Sequence, residues 1–251
     1  MSAADEDPAI PQPLPQPILN PPRSPHDLAI ETAVVLAVCF VPPFFSSLAS
    51  VYLLPAHRSS TGFFLYESLY DIVRESAQFI FLLYLILRSG ELLSNFGIKP
   101  FRILPDFLGG IGIYLLAELT THIFWIAIAF LEQHSVLHLS RYHYNPFSPP
   151  SGDGAYEILA VRCLAIGMTE EIIFRTYLIH RFEKLFESTG LALLFSTVLF
   201  GAVHIYQGIH GFLSAIVLGF IYGSLFCLFR RLWPLALAHA IWDFMSFATM
   251  K

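Results

Sequence analysis

The sequence predicts an all-α fold, a polytopic transmembrane helical bundle of about seven spans, six to eight by the number of apolar runs long enough to cross a bilayer. Three observations carry this. The 251-residue chain is 55% hydrophobic and only 13% charged, with a mean hydropathy of +0.62, which is too apolar for a soluble domain. Its apolar residues lie in runs of roughly 20, the length a helix needs to cross hydrocarbon about 30 Å thick. The few ionisable residues inside those runs recur at intervals of three or four, which is helical spacing.

The net charge of −5 carries little information, and the sequence has no basic tract for a nucleic-acid partner. Cys39, Cys163 and Cys227 stand singly in apolar runs with no CxxC pair. They read as small buried hydrophobes.

Residues 1–27 begin with acidic Asp5-Glu6-Asp7 and hold eight of the 17 prolines, so they read as a disordered, extended tail and not as a secretory signal. A transmembrane domain over 28–251 follows. Span 1, about Thr32 to Leu54, contains Pro42-Pro43, which should kink it or split it into two half-helices. Span 2, about Gly62 to Leu87, carries Glu67, Asp71, Arg74, Glu75 and Gln78 on one stripe. That stripe should face the bundle interior, as a set of internal salt bridges or as an ion path.

Residues 88–106 alternate charges with Leu92, Leu93, Phe96, Phe101 and Ile103, the pattern of a segment lying along the membrane surface. Span 3, about Phe107 to Leu131, has Glu118 and His122 one turn apart, a hydrogen-bonded pair by spacing. In the loop from Glu132 to Gly154, His134, His138 and His143 fall at irregular intervals, which favours solvated histidines over a metal site. Spans 4 to 7 cover about Tyr156–Leu185, Gly190–Tyr206, Phe212–Phe229 and Leu232–Thr249. In span 6, Gly219 and Gly223 form a small-xxx-small pair for close helix approach.

Arginine and lysine set the orientation. Arg23, Arg88, Lys99, Arg102, Arg181, Lys184, Arg230 and Arg231 lie on one side, against Arg58, Arg141 and Lys251 on the other. This places the N-terminus in the cytoplasm of a multi-pass protein of the cell (inner) membrane.

The costliest stretch is Met168-Thr169-Glu170-Glu171-Ile172-Ile173-Phe174-Arg175 in span 4. Each ionised side chain in mid-membrane costs roughly 2.5–3.5 kcal/mol on insertion scales, so the group needs partners or a use. At helical spacing Glu171 and Arg175 share a face and can pair. Glu170 then points about 100° away, toward another helix, and is the first candidate for a reacting group. Span 5 ends in Phe200-Gly201-Ala202-Val203-His204, and span 7 holds His239-Ala240-Ile241-Trp242-Asp243. Glu170, His204, His239 and Asp243 thus sit on three successive helices that can converge on one cavity. Asp243, one turn from His239, could fix its tautomer.

These three elements, Glu-Glu-x-x-x-Arg at 170–175, Phe-x-x-x-His at 200–204 and His-x-x-x-Asp at 239–243, resemble the CPBP family of intramembrane proteases, which includes the CAAX prenyl endopeptidases and bacteriocin-processing or immunity proteins. The resemblance covers roughly residues 155–248. It implies that Glu170 and His204 activate water for attack on a peptide carbonyl, while His239 and residue 243 support the oxyanion. Glu171, Arg175 and Phe200 would be structural support. The chemistry is consistent: a carboxylate removed from water is a better general base than an exposed one, and a donor in a low-dielectric site holds an oxyanion best.

Position 243 departs from the resemblance, since the prenyl-protease branch has Asn there. An ionised Asp cannot donate to an oxyanion, so it orients His239 or binds a metal. The expectation is an intramembrane endopeptidase without a cofactor, acting on a membrane-associated peptide or protein by CAAX-type or leader-peptide processing. Zinc held by Glu170, His204, His239 and Asp243 is the mechanistic alternative. The functional alternatives are a non-catalytic immunity or secretion scaffold, and a transporter using the Glu67/Asp71/Arg74 stripe. Membrane lipid surrounds any of these; oligomeric state is left open.

Overall fold

In the computed structural model, residues 23–53, 61–134, 136, 139 and 148–249 are described. The acidic start of the tail, His138, His143, Arg58, Arg141 and Lys251 lie outside them. The described residues form seven helical rods and no strand. The first joins α1 (Pro25–Val35) to α2 (Val41–Leu53) through a π-helical turn at Leu36–Phe40. It is followed by α3 (Thr61–Arg88) and α4 (Ile103–Gln133). A long rod then joins α5 (Ala155–Glu171) to α6 (His180–Phe186) through π-helix at Ile172–Ile179. The last three are α7 (Thr189–Ala202), α8 (Gly208–Phe229) and α9 (Leu232–Ala248).

Rod 1 begins inside the expected tail. Ser24 accepts a hydrogen bond from the Asp27 amide, and Pro25 occupies the first turn, where its missing N–H costs nothing. Pro42-Pro43 does not break this rod. The wider π turn lies just ahead of the prolines and absorbs the backbone bonds they cannot donate, so the helix continues.

Three helices are long and apolar enough to cross a membrane, Pro25–Ala49, Ile103–Gln133 and Ile205–Phe229. α3 and the α5–α6 rod have the length and carry charges, several of which are paired inside the bundle, as Asp71–Arg162 and Glu171–Arg175 are. The outer surface is apolar instead: Leu69, Val73 and Ile80 on α3 and Leu119, Ile126 and Phe130 on α4 are all more than half exposed. A band of that extent is covered by lipid, which makes this an integral membrane protein. Glu118 and His122 stand in the same outward band, 3.3 Å apart as their spacing predicts.

α9 packs between α4 and α5, α3 lies against α5, and α8 covers α7. Glycines set the closest approaches. A Cβ on Gly167 of α5 would stand 2.8 Å from the Ala240 nitrogen of α9, and one on Gly219 of α8 would stand 3.2 Å from the Phe200 ring of α7. The segment before α4 is less superficial than its alternation suggests. Leu92 and Ile103 do face outward, but Phe96 is fully buried in a short 3₁₀ turn, Leu93–Phe96. Ring contact with His180 and the Arg181 guanidinium draws Phe96 inward.

That inner end is held by charge. Arg181, fully buried, reaches Glu31 of α1 at 3.0 Å and also binds Glu91, which takes His180 at 2.7 Å and Lys184 at 2.5 Å as well. Partial burial opposes ionisation of Glu91, and the three hydrogen bonds from His180, Lys184 and Arg181 outweigh it. They hold the carboxyl far below the usual carboxylate range.

Candidate active site

The Glu170-Glu171 pair closes α5 at the point where the helix widens into π geometry. Such insertions displace side chains from the regular 100° ladder and recur at functional sites. Glu171 Oε1 lies 3.0 Å from an Arg175 guanidinium nitrogen, the pairing expected from their spacing. Both side chains are essentially fully buried.

Glu171 does more than pair with Arg175. Its Oε1 is also 2.8 Å from Nδ1 of His239, which the Gly167 crossing brings against α5. A carboxylate only accepts, so Nδ1 carries a proton and donates it. The orienting partner of His239 is therefore Glu171, and Asp243 does not fill that role. Asp243 Oδ1 is 3.8 Å from Nε2, on the same side of the ring as Glu170 Oε2 at 3.5 Å. That Glu170 oxygen is buried and has no hydrogen-bond partner among the described residues. One imidazole edge is thus anchored and the other faces two carboxylates.

His204 stands just beyond α7, in the turn leading to a 3₁₀ segment at Ile205–Gln207, and not inside the helix as its apolar surroundings suggest. Its amide bonds back to the Gly201 carbonyl at 2.9 Å. Nδ1 donates to the Phe200 carbonyl at 2.8 Å, which leaves Nε2 of the neutral ring as a free acceptor. Glu170, His239 and Arg175 are among the charged groups whose fields reach His204.

Phe200 is the packing hub. Its ring lies 4.8 Å from that of His204 and 5.8 Å from that of His239, while the Arg175 guanidinium sits 4.1 Å over it. The cation is thereby screened from the apolar surroundings on one face and paired on the other. Tyr222 of α8 completes the wall, edge-on to His239 at 5.9 Å.

Arg162 and Tyr206 escape the sequence reading, and Glu75 enters it only as part of the span 2 stripe. Arg162, fully buried on α5, donates to Asp71 of α3 at 2.6 and 2.9 Å. It lies eight residues before Glu170, just over two helical turns and about 80° round the helix, and no local spacing pairs it with its acid. Glu75 of α3, bonded to Arg74 at 2.6 Å, acts electrostatically on Glu170; Thr169 ties this region together by donating to the Glu75 carbonyl at 2.9 Å. Tyr206 stacks 6.1 Å from His204 and is anchored through its amide to Ser47 of α2 at 2.8 Å. The stripe on α3 faces inward as expected, with Asp71 and Glu75 buried, and its ion pairs reach across to α5.

Among the described residues no three His, Cys, Asp or Glu side chains are grouped to hold a metal ion.

No curated protein and no solved structure matches the chain. Residues 154–245, which contain all of these motifs, match the family model for "Type II CAAX prenyl endopeptidase Rce1-like". This stretch is thus similar to the Rce1-like type II CAAX prenyl endopeptidases, a likeness consistent with the CAAX-protease, or CPBP, family, and the apolar helices are those of a membrane protein.

Proposed function

We propose that the protein hydrolyses peptide bonds within the membrane by water activation at Glu170 and His204. The observation that carries the reading is the buried Glu170 Oε2, which makes no hydrogen bond among the described residues and faces Nε2 of an anchored His239 at 3.5 Å. A carboxylate oxygen that is buried and makes no hydrogen bond has its acceptor capacity in reserve for a substrate water.

Glu170 takes a proton from water while the oxygen attacks the scissile carbonyl carbon, giving a tetrahedral oxyanion. Nε2 of His204, freed by the Nδ1 bond to Phe200, accepts a hydrogen bond from the same water. As the C–N bond breaks it takes the remaining proton of the attacking oxygen and passes it to the departing amine, leaving a carboxylate product, and the proton on Glu170 leaves with the amine as ammonium. His239 in its imidazolium form donates from Nε2 to the oxyanion, with Glu171 as counter-charge on Nδ1. Asp243, with Arg162 among its electrostatic neighbours, sits beside this edge and shapes the charge around it.

The substrate is a membrane-associated peptide or protein, released by CAAX-type or leader-peptide cleavage, and Asp at 243 argues against strict prenyl-peptide specificity. The excess of Arg and Lys on the N-terminal side supports a cytoplasmic N-terminus in the cell membrane.

The test compares the proteomes of membranes carrying the active protein with those carrying Glu170→Gln or His204→Ala. Loss of a general base lowers the rate about 10²–10⁴-fold, so one precursor should accumulate in both variants. Full processing by either variant refutes the mechanism. Purified protein should keep its activity after treatment with a tight chelator; loss restored by zinc would replace the glutamate route with a metal one.

A further inference from the structure

A groove of about 680 Å³ opens between α4, α8 and α9, away from the catalytic residues, and nothing above assigns it a role. Its wall is mainly apolar, formed by Gly109 and Ile113 of α4, Leu225 and Phe229 of α8, and Pro234 and Leu235 of α9. Its mouth is cationic, with Lys99, Arg102 and Arg231. The only acid there, Asp106, is already occupied: both its oxygens bind Arg231, and one accepts the Arg102 amide at 2.6 Å. The Lys99 and Arg102 side chains form no ion pair among the described residues. Two positive charges are thus left over at the end of an apolar trough.

The level of that mouth is marked by aromatic residues. Trp233 donates its indole N–H to the Lys99 carbonyl at 2.5 Å and meets Phe101 edge-on at 5.8 Å. Tryptophan rings with one wet edge collect at the headgroup boundary. From Arg102 to Ile113 the wall then runs about 16 Å toward the bilayer centre, at 1.5 Å per residue.

We propose that this groove holds an anionic phospholipid, its phosphate at Lys99 and Arg102 and an acyl chain along Ile113, Leu225 and Phe229. Charge complementarity selects the headgroup, since basic pockets between transmembrane helices recognise anionic lipid. The apolar wall selects a lipid over free phosphate. Phe229 is 64% exposed in the protein alone, a ring that a chain would cover.

Native mass spectrometry of the full chain, released from detergent with added phosphatidylglycerol or phosphatidylcholine, tests this. One phosphatidylglycerol should be retained in preference to phosphatidylcholine. Lys99→Ala/Arg102→Ala, which changes only side chains at the groove mouth, should weaken that binding about 30-fold, from about 1 kcal/mol per cation near an anionic surface. Ile113→Trp fills the trough with both cations kept, and should also lose the lipid. Equal retention of the two lipids, unchanged affinity in the double variant, or displacement by millimolar inorganic phosphate would each overturn the proposal.

Discussion

Gly167→Ala tests whether the α5–α9 crossing builds the site. The new Cβ would lie 2.8 Å from the Ala240 nitrogen, 3.0 Å from the Ala236 oxygen and 3.3 Å from the Ala240 Cα. All three are backbone atoms of a packed helix, so no side chain can swing aside. Relieving the shortest contact to an ordinary 3.4 Å requires α9 to retreat by about 0.6 Å. His239 lies on the next position of α9 and moves with it. Its 2.8 Å bond to Glu171 would stretch to about 3.4 Å, beyond hydrogen-bond range, and the 3.5 Å approach to Glu170 would open similarly. Overpacking of this kind costs about 1–3 kcal/mol of stability. A displacement near 1 Å at a reacting group costs up to about 10²-fold in rate. Gly112→Ala is the control, because nothing lies within 4 Å of its Cβ position on α4; it should stabilise by roughly 0.5–1 kcal/mol through helix propensity. The assay is precursor cleavage in reconstituted vesicles beside a thermal melt in detergent. A Gly167→Ala protein with wild-type turnover would refute the claim that this crossing positions His239.

Arg175→Ala should destabilise the fold by about 3–5 kcal/mol, because it strands the fully buried Glu171 and uncovers the Phe200 face; a fall in melting temperature and membrane yield checks it. Arg162→Ala should be comparably harmful through Asp71, while Arg162→Met with Asp71→Asn should recover most of the loss, and a double-mutant cycle measures the coupling. The Glu91 cluster gives an acid limb to stability. Its carboxylate is stabilised only in the folded chain, so the folded protein binds the proton at lower pH than the unfolded one. The stabilisation is complete above the ordinary glutamate value of about 4.3 and is lost as pH falls through the depressed folded value. Unfolding midpoints measured below pH 5 should fall for wild type and fall less for Glu91→Gln.

Helix number and the α3 stripe were legible from composition and spacing, since a run of about 20 apolar residues and a repeat of three to four are local properties. The i,i+4 pair Glu171–Arg175 was legible for the same reason, and it survives the π-helix that begins one residue after Glu171. Arg162 was not. An isolated arginine in an apolar helix has no local partner, and its acid lies 91 residues away.

What the sequence alone determines here is the set of costly side chains and the helices that carry them: Glu170, Glu171 and Arg175, then His204, then His239 and Asp243. What only the tertiary structure decides is who holds whom. Glu171 and not Asp243 takes Nδ1 of His239, His204 leaves the helix to reach the site, and Arg162 crosses to Asp71. The reason is physical. In a membrane protein the lipid-facing and core-facing surfaces are both apolar, so hydrophobic patterning says little about which helix a face will meet. That choice falls to close backbone crossings such as Gly167 on α9 and to the need to pair every buried charge, and both operate between residues far apart in the chain.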